Sequence, residues 1–376
     1  MVSKNTLYIY LYIFFLNINF LKIILPMFDL YLYAFSYVIG LLFIAKLKNK
    51  YIFLYIFLYF IFYILTSIMS HDRYLTSYIS LFLQIIINFS ILNMLMKNTL
   101  LNRILLLKSL KYSLYFHVAI FLIIVFIGGG GHVLSREFAT VSYFGIEINR
   151  NSMHPFIIYE LLLYFLINYL YFGIYRKYKY DIILIFMVLL LFTLVNSRAA
   201  LLSGILFLIF VSISKFNKVF FNNFINIIMI FLVFFILLEQ DILTIFFNQF
   251  SELETIDSSR LQIILCYISK FDLNHLLYGI NYQGDDTCML LSRVGKNPHN
   301  SYIWAMSVYG LLGFFIFILA CINLVYLFFK DKFLFILFLI LFFSSNTERA
   351  FLVSSFEIIY FLFFYISYKI YKKHYI

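Results

Sequence analysis

The sequence predicts an all-α polytopic membrane protein with about twelve transmembrane helices, on three observations. Hydrophobic residues make up 64% of the 376 positions and charged residues 12%, with a mean hydropathy of +0.98. That composition leaves too little polar surface to clothe a water-soluble core. Apolar stretches close to the about 20 residues a helix needs to cross a bilayer recur from end to end. The basic residues are also sorted, lysines onto one set of alternate connections and arginines onto the other.

Taken in order, the spans fall at 6–25, 28–45, 51–69, 75–96, 112–127, 152–172, 181–196, 199–214, 223–238, 300–329, 333–345 and 351–368. The first is too long for a signal-peptide core and lacks a small-residue cleavage site, so it is expected to stay as an anchor. The tenth is long enough either to tilt or to begin outside the membrane. The whole chain, 1–376, reads as one integral membrane domain without internal repeats. The 22% aromatic content, mostly Phe and Tyr, exceeds what interfacial belts require and reads as lipid-facing bulk.

With these spans, 18 of the 28 basic residues share one side with only two acids, Asp181 and Asp331. Lysine-rich short loops mark the cytoplasmic side, so both termini are expected there. Seven of the nine arginines (Arg73, Arg136, Arg150, Arg198, Arg260, Arg293 and Arg349) fall on the outer side. Fifteen acids share the rest of the chain with ten basic residues, so these arginines are isolated cations and not a basic field. The net charge of +11 is scattered over span ends without a basic groove or aromatic RNA motif, which argues against nucleic acid. Arginine suits a different ligand, because its planar fork grips phosphate in two places at once.

Two outer connections are long, 128–151 and 239–299, and loops of that length are usually functional. In the second, Asp257 and Ser258 are good N-caps, and Leu261, Ile264, Leu265 and Ile268 repeat at helical spacing. They describe an amphipathic helix on the outer surface or over a cavity, with Arg260 either facing a ligand or snorkelling. Cys266 and Cys288 fall on this side, where an oxidising periplasm permits a disulfide, while Cys321 lies inside a span. No dinucleotide fingerprint, phosphate loop or zinc spacing occurs.

Ionisable groups inside a membrane are costly and are functional candidates by default. Arg198 sits at a tight outer turn, Glu160 about two turns into the sixth span, and Glu357 at similar depth in the last. For each acid the alternative is a structural ion pair between helices, such as Glu160 with an arginine. Pro298-His299-Asn300 opens the tenth span, followed by Gly310 and Gly313, whose spacing lets another helix approach closely. His299 would lie at the outer mouth, where a neutral imidazole takes or relays a proton. Asn300 either caps the helix or binds a sugar hydroxyl.

The pattern His299-Asn300, nine residues, Gly310-x-x-Gly313 resembles the motif of the O-antigen polymerase and ligase superfamily of integral membrane glycosyltransferases. Ser197-Arg198-Ala199-Ala200, the stretch from Arg136 to Asn151, and Asp257-Ser258-Ser259-Arg260 followed by Tyr278-Gly279-Ile280 are similar to that family's elements in the same order. The likeness spans roughly residues 130–315, and Gly284-Asp285-Asp286 has no counterpart in it. It implies a GT-C-like helical fold with a large periplasmic loop, in the bacterial inner membrane. It also implies a metal-independent reaction without cofactor, on a donor glycan linked to undecaprenyl diphosphate, with a chain-length regulator as a further partner. In such a reaction a sugar hydroxyl attacks the donor's anomeric carbon and undecaprenyl diphosphate leaves. By resemblance, Arg198 and Arg260 would hold the diphosphate, with Arg136, Arg150 and Arg349 as further candidates. His299 would orient or deprotonate the hydroxyl, Glu160 would be a fallback base or the partner of a cation, and Asn300 and Asn151 would bind glycan. Within the family the choice lies between a polymerase of repeat units and a ligase to lipid A core. Outside it, a flippase of lipid-linked oligosaccharide has similar spans, but short loops and related halves.

If the guanidinium fork of Arg198 grips a diphosphate, Arg198→Lys keeps the charge but loses one charged hydrogen bond, worth about 1.5–3 kcal/mol. Glycan transfer by the variant is expected to fall about 10- to 100-fold. Wild-type transfer would remove the diphosphate assignment.

Overall fold

The computed structural model describes residues 4–25, 28, 31–32, 34–35, 38–39, 61, 100–129, 140–143, 146–172, 181–195, 198–213, 264–279, 300–347, 352, 356 and 358–375; at some of them, including Arg150, Asn151 and Arg198, it describes the backbone alone. The elements are α1 (Lys4–Ile24), α2 (Leu100–Gly129), β1 (Thr140–Tyr143), β2 (Ile146–Asn149), α3 (Arg150–Phe172), α4 (Asp181–Leu194) and α5 (Arg198–Ile213). They continue with α6 (Leu273–Tyr278), α7 (Ser301–Tyr309), α8 (Leu311–Lys330), α9 (Lys332–Thr347) and α10 (Ile358–Tyr375). The described chain is thus helical apart from one short hairpin. The expected spans 51–69, 75–96 and 223–238, and much of 28–45, lie outside the described residues.

At the centre is α3. Every residue from Met153 to Asn168 is buried, and the helix packs against α1, α2, α5, α9, α10 and β2. A helix apolar on all sides has no face for water and must be enclosed by neighbours. Phe156, Phe165, Leu161, Leu162 and Leu166 supply most of that enclosed bulk. Outer helices show the opposite balance. Along α8, Phe315, Leu319, Ile322, Val325 and Phe329 are exposed at helical spacing. Two described stretches, Arg103–Ile127 and Leu311–Lys330, are long and apolar enough to cross a membrane.

The two ends of the bundle are distinguishable. At one, here the upper end, Asn300 at the start of α7 meets Asn346 near the end of α9, and Ser203 in the second turn of α5 meets Ser344. At the other, the hydroxyl of Tyr169 in α3 donates to Asp331 between α8 and α9. Asp331 also caps α9 through the backbone N–H groups of Phe333 and Leu334. Helices α3, α5, α7 and α10 therefore begin at the upper end, where α9 finishes.

Four expectations are corrected. The loop expected around Arg103, Lys108 and Lys111 is helical, because α2 starts at Leu100. Leu106, Leu107, Leu110 and Leu114 bury its inner side, and Leu, Lys and Arg are all good helix formers. The all-α expectation meets one exception, in the connection 128–151: Thr140–Tyr143 and Ile146–Asn149 pair antiparallel, with Tyr143 opposite Ile146. Runs rich in β-branched and aromatic residues favour that pairing. The last helix begins at Ile358, not 351, and Glu357 lies outside the described residues.

The fourth concerns the tenth span, which breaks at Gly310 into α7 and α8. Gly310 adopts φ 56° and ψ −125°, a backbone state that only glycine enters without strain. The turn lays α7 back against α8. A Cβ at Gly313 would sit 2.3 Å from the Ala305 carbonyl oxygen, and one at Gly310 would sit 2.3 Å from that of Leu277. The close approach inferred from the paired glycines thus involves α7 itself and the backbone at Leu277 and Gly279.

Gly313→Val would force α7 away from α8 at an overpacking cost of about 1–3 kcal/mol. Its unfolding midpoint in detergent should drop clearly below wild type, whereas Ala320→Gly, elsewhere on α8, should lose less. Equal midpoints for Gly313→Val and wild type would contradict the close contact.

Candidate functional site

The upper end gathers several residues singled out in the sequence. Arg150 and Asn151 open α3, Arg198 opens α5, and Asn300 precedes α7. Pro155, inside α3, has no N–H to give the carbonyl of Asn151 four residues earlier. That places a backbone acceptor lacking its helical donor beside the start of the helix. Arg136, Arg260, His299 and Arg349 lie outside the described residues.

Asn300 is a helix cap. Its Oδ1 accepts from the backbone N–H of Tyr302 at 2.9 Å and of Ile303 at 3.1 Å. Its Nδ2 faces Asn346, 3.2 Å from Oδ1 and 3.4 Å from the carbonyl oxygen. With the oxygen's two lone pairs engaged and the amine turned to α9, the capping role inferred from the sequence is the one its geometry displays.

Asn346 belongs to a polar run the sequence reading passed over. Ser344, Ser345 and Asn346 end an otherwise apolar α9, and each ties a different helix. Ser344 lies 3.0 Å from Ser203 of α5, and Tyr360 of α10 donates to Ser345 at 2.5 Å. Since the Tyr360 hydroxyl spends its hydrogen on Ser345, Tyr302 donates to Tyr360, at 2.6 Å. Three adjacent polar residues closing an apolar helix were the available signal.

Glu160 lies ten residues into α3, about 15 Å along the axis at 1.5 Å per residue. It is 1% exposed and pairs with His117 of α2, whose Nδ1 is 2.8 Å from one carboxylate oxygen and 3.0 Å from the other. Of the options the sequence left open, the geometry matches the interhelical pair, with a histidine in place of the arginine. His117 itself was missed, because a lone histidine in an apolar run carries no spacing signal. Among the described residues no three His, Cys, Asp or Glu side chains group as metal ligands would.

The segment 264–279 packs against α7 and α8 at their junction. The backbone is helical at 264–269 and again in α6. Tyr267 is buried against Ile303, while Leu265 and Ile268, two of the four residues at the expected helical spacing, are exposed; Asp257, Ser258, Arg260 and Leu261 lie outside the described residues. Cys266 within it is disulfide-bonded and Cys321 is free; Cys288 lies outside the described residues. Gly279, at φ 85°, ends α6 beside Gly310. Tyr278-Gly279 and Gly310, separate in the sequence, thus meet in space.

Asp272 caps α6, accepting from the His275 backbone N–H at 2.8 Å. That hydrogen bond, with the His275 side chain second, holds its carboxyl below the usual carboxylate range. A carboxyl depressed in the folded state stabilises above its ordinary pKa, about 3.9, and the benefit disappears as pH falls through the lower folded value. Amide exchange in 273–278, corrected for intrinsic rates, should therefore accelerate only under acid. Asp272→Asn, which keeps an accepting oxygen, should show no such acid step. An identical step in that variant would remove Asp272 as the cause.

No family model matches the chain, and no curated protein or solved structure shows significant similarity to it.

Proposed function

We propose that this chain is a multi-pass glycosyltransferase of the bacterial inner membrane that polymerises undecaprenyl-diphosphate-linked repeat units of O-antigen or a related surface polysaccharide. In this proposal about twelve GT-C-like helices carry both termini in the cytoplasm, and the upper end faces the periplasm. The observation that carries it is the meeting of Tyr278-Gly279 with Gly310, at the far end of the helix that Asn300 caps, in a bundle where Arg150 and Arg198 open their helices at the Asn300 end. These are the elements on which the family resemblance rests.

The donor is already activated by its diphosphate. Catalysis then consists mainly of holding that group, neutralising the charge that develops as it leaves, and aligning the acceptor hydroxyl. Helix starts favour anions through their unpaired N–H groups and the helix dipole, so Arg198 and Arg150 are suited to the diphosphate where they stand. Arg260, Arg136 and Arg349 are assigned to the same group by resemblance. His299, adjacent to the Asn300 cap, is assigned to the hydroxyl; Asn151 and Asn300 are assigned to glycan. Glu160, fully enclosed, is assigned to His117 in preference to substrate.

A strain lacking the gene tests the assignment. Polymerase function predicts lipopolysaccharide carrying a single repeat unit. Bare core with free lipid-linked polymer would identify a ligase, and accumulation of single lipid-linked repeats on the cytoplasmic face would identify a flippase. The buried His117–Glu160 pair is the one observation favouring the flippase, because ionisable pairs inside membranes often serve transport.

A further inference from the structure

Three helices close around a buried polar chain below the upper end. His117 is 0% and Glu160 1% exposed. The other ring nitrogen of His117, Nε2, lies 3.0 Å from Oδ1 of Asn17 on α1. The Asn17 amide nitrogen donates to the Ile13 carbonyl at 2.7 Å, which turns the amide oxygen toward the ring. An amide oxygen only accepts, so Nε2 keeps its hydrogen in every state of the pair. The remaining proton must be shared between Nδ1 and the Glu160 carboxyl. Imidazolium facing carboxylate, or neutral imidazole facing neutral acid, both give zero net charge.

The surroundings make any other state expensive. Phe20 stacks on the imidazole with ring centroids 4.1 Å apart, and Phe156 meets it edge-on at 5.3 Å. Removing the proton turns the Nδ1 lone pair toward a carboxylate; adding a second leaves one unbalanced charge. Either change leaves an unfavourable charge arrangement enclosed away from water. Among the described residues, Tyr12 on α1 and Tyr159 on α3, with hydroxyls 3.3 Å apart, interact with Glu160; His154 lies six residues before Glu160 on α3, and β1 and β2, packed on α2 and α3, carry Tyr143 and Glu147. Phe356 stacks on Tyr159 from the α10 side. Helix α4, also packed on α2, presents from Ile182 to Leu194 only apolar side chains and Thr193.

We propose that His117, Glu160 and Asn17 form a proton-binding site inside the bundle, in which one exchangeable proton is held between Nδ1 and the carboxyl and α1 stays docked on α2 while that proton is present. This property is independent of glycan transfer. Loss of the proton replaces an attractive α2–α3 contact with a repulsive one. Asn17 transmits the change to α1, because it bonds the same ring. A conformational equilibrium linked to a proton shifts by the difference in proton affinity between its two states.

Infrared difference spectra of the full-length protein in lipid nanodiscs, titrated with alkali, test the site without substrate. Carboxyl and imidazole bands, assigned by isotope-labelled Glu and His, should change together in one step. Glu160→Gln should abolish both changes, and Asn17→Ala should move the midpoint. Spin labels replacing the exposed Tyr10 and Tyr112, in a background lacking Cys321, should separate across the same step. Two independent steps, bands that persist in Glu160→Gln, or a label distance unaffected by pH would overturn the proposal. The wild-type titration requires no variant, so misfolding of a mutant does not rescue it.

Discussion

The structure depends on enclosing one helix. Helix α3 is buried over sixteen consecutive residues, Met153 to Asn168, yet it carries a carboxyl at Glu160. Burying an apolar helix is favourable wherever neighbours can surround it, but burying an unpaired carboxylate costs far more than any single packing contact returns. The fold satisfies both demands by bringing His117 of α2 against Glu160 and Asn17 of α1 against His117. The register of three helices is thereby tied to one polar chain. A slip of α2 or α1 by one turn would leave a donor or acceptor stranded among phenylalanines.

A second constraint acts at the upper end, where chain reversals must be tight. Gly310 permits the reversal that folds α7 onto α8, and Gly313 permits the contact that follows. The cap at Asn300, held by Asn346, then fixes where α7 begins. Because Ser344 and Ser345 hold α5 and α10 from the same turn of α9, four helix ends are set relative to one another by three adjacent side chains.

Helices visible as long apolar stretches were legible from composition alone, and α1, α3, α4, α5 and α9 lie within a few residues of their expected limits. Elements set by local backbone chemistry were harder. Periodicity cannot see that Gly310 takes positive φ, so the tenth span looked continuous. The hairpin at 140–149 was hidden because each strand is only four residues long. At the site, Glu160 was conspicuous as an acid in an apolar run, and Asn300 as a cap before one. The groups that hold them were not: His117 lies 43 residues from Glu160, Asn17 lies 100 from His117, and Asn346 lies 46 from Asn300, and only the packing of the helices brings them together.

The dependence of the bundle on its buried pair is most directly measured by a double-mutant cycle of unfolding in detergent, using His117→Gln, Glu160→Gln and both together. Breaking a buried pair by changing one partner costs about 3–5 kcal/mol, and the account predicts that the second change adds little to the first, so the two effects fall well short of additive. Additive losses, or a Glu160→Gln variant as stable as wild type, would contradict it.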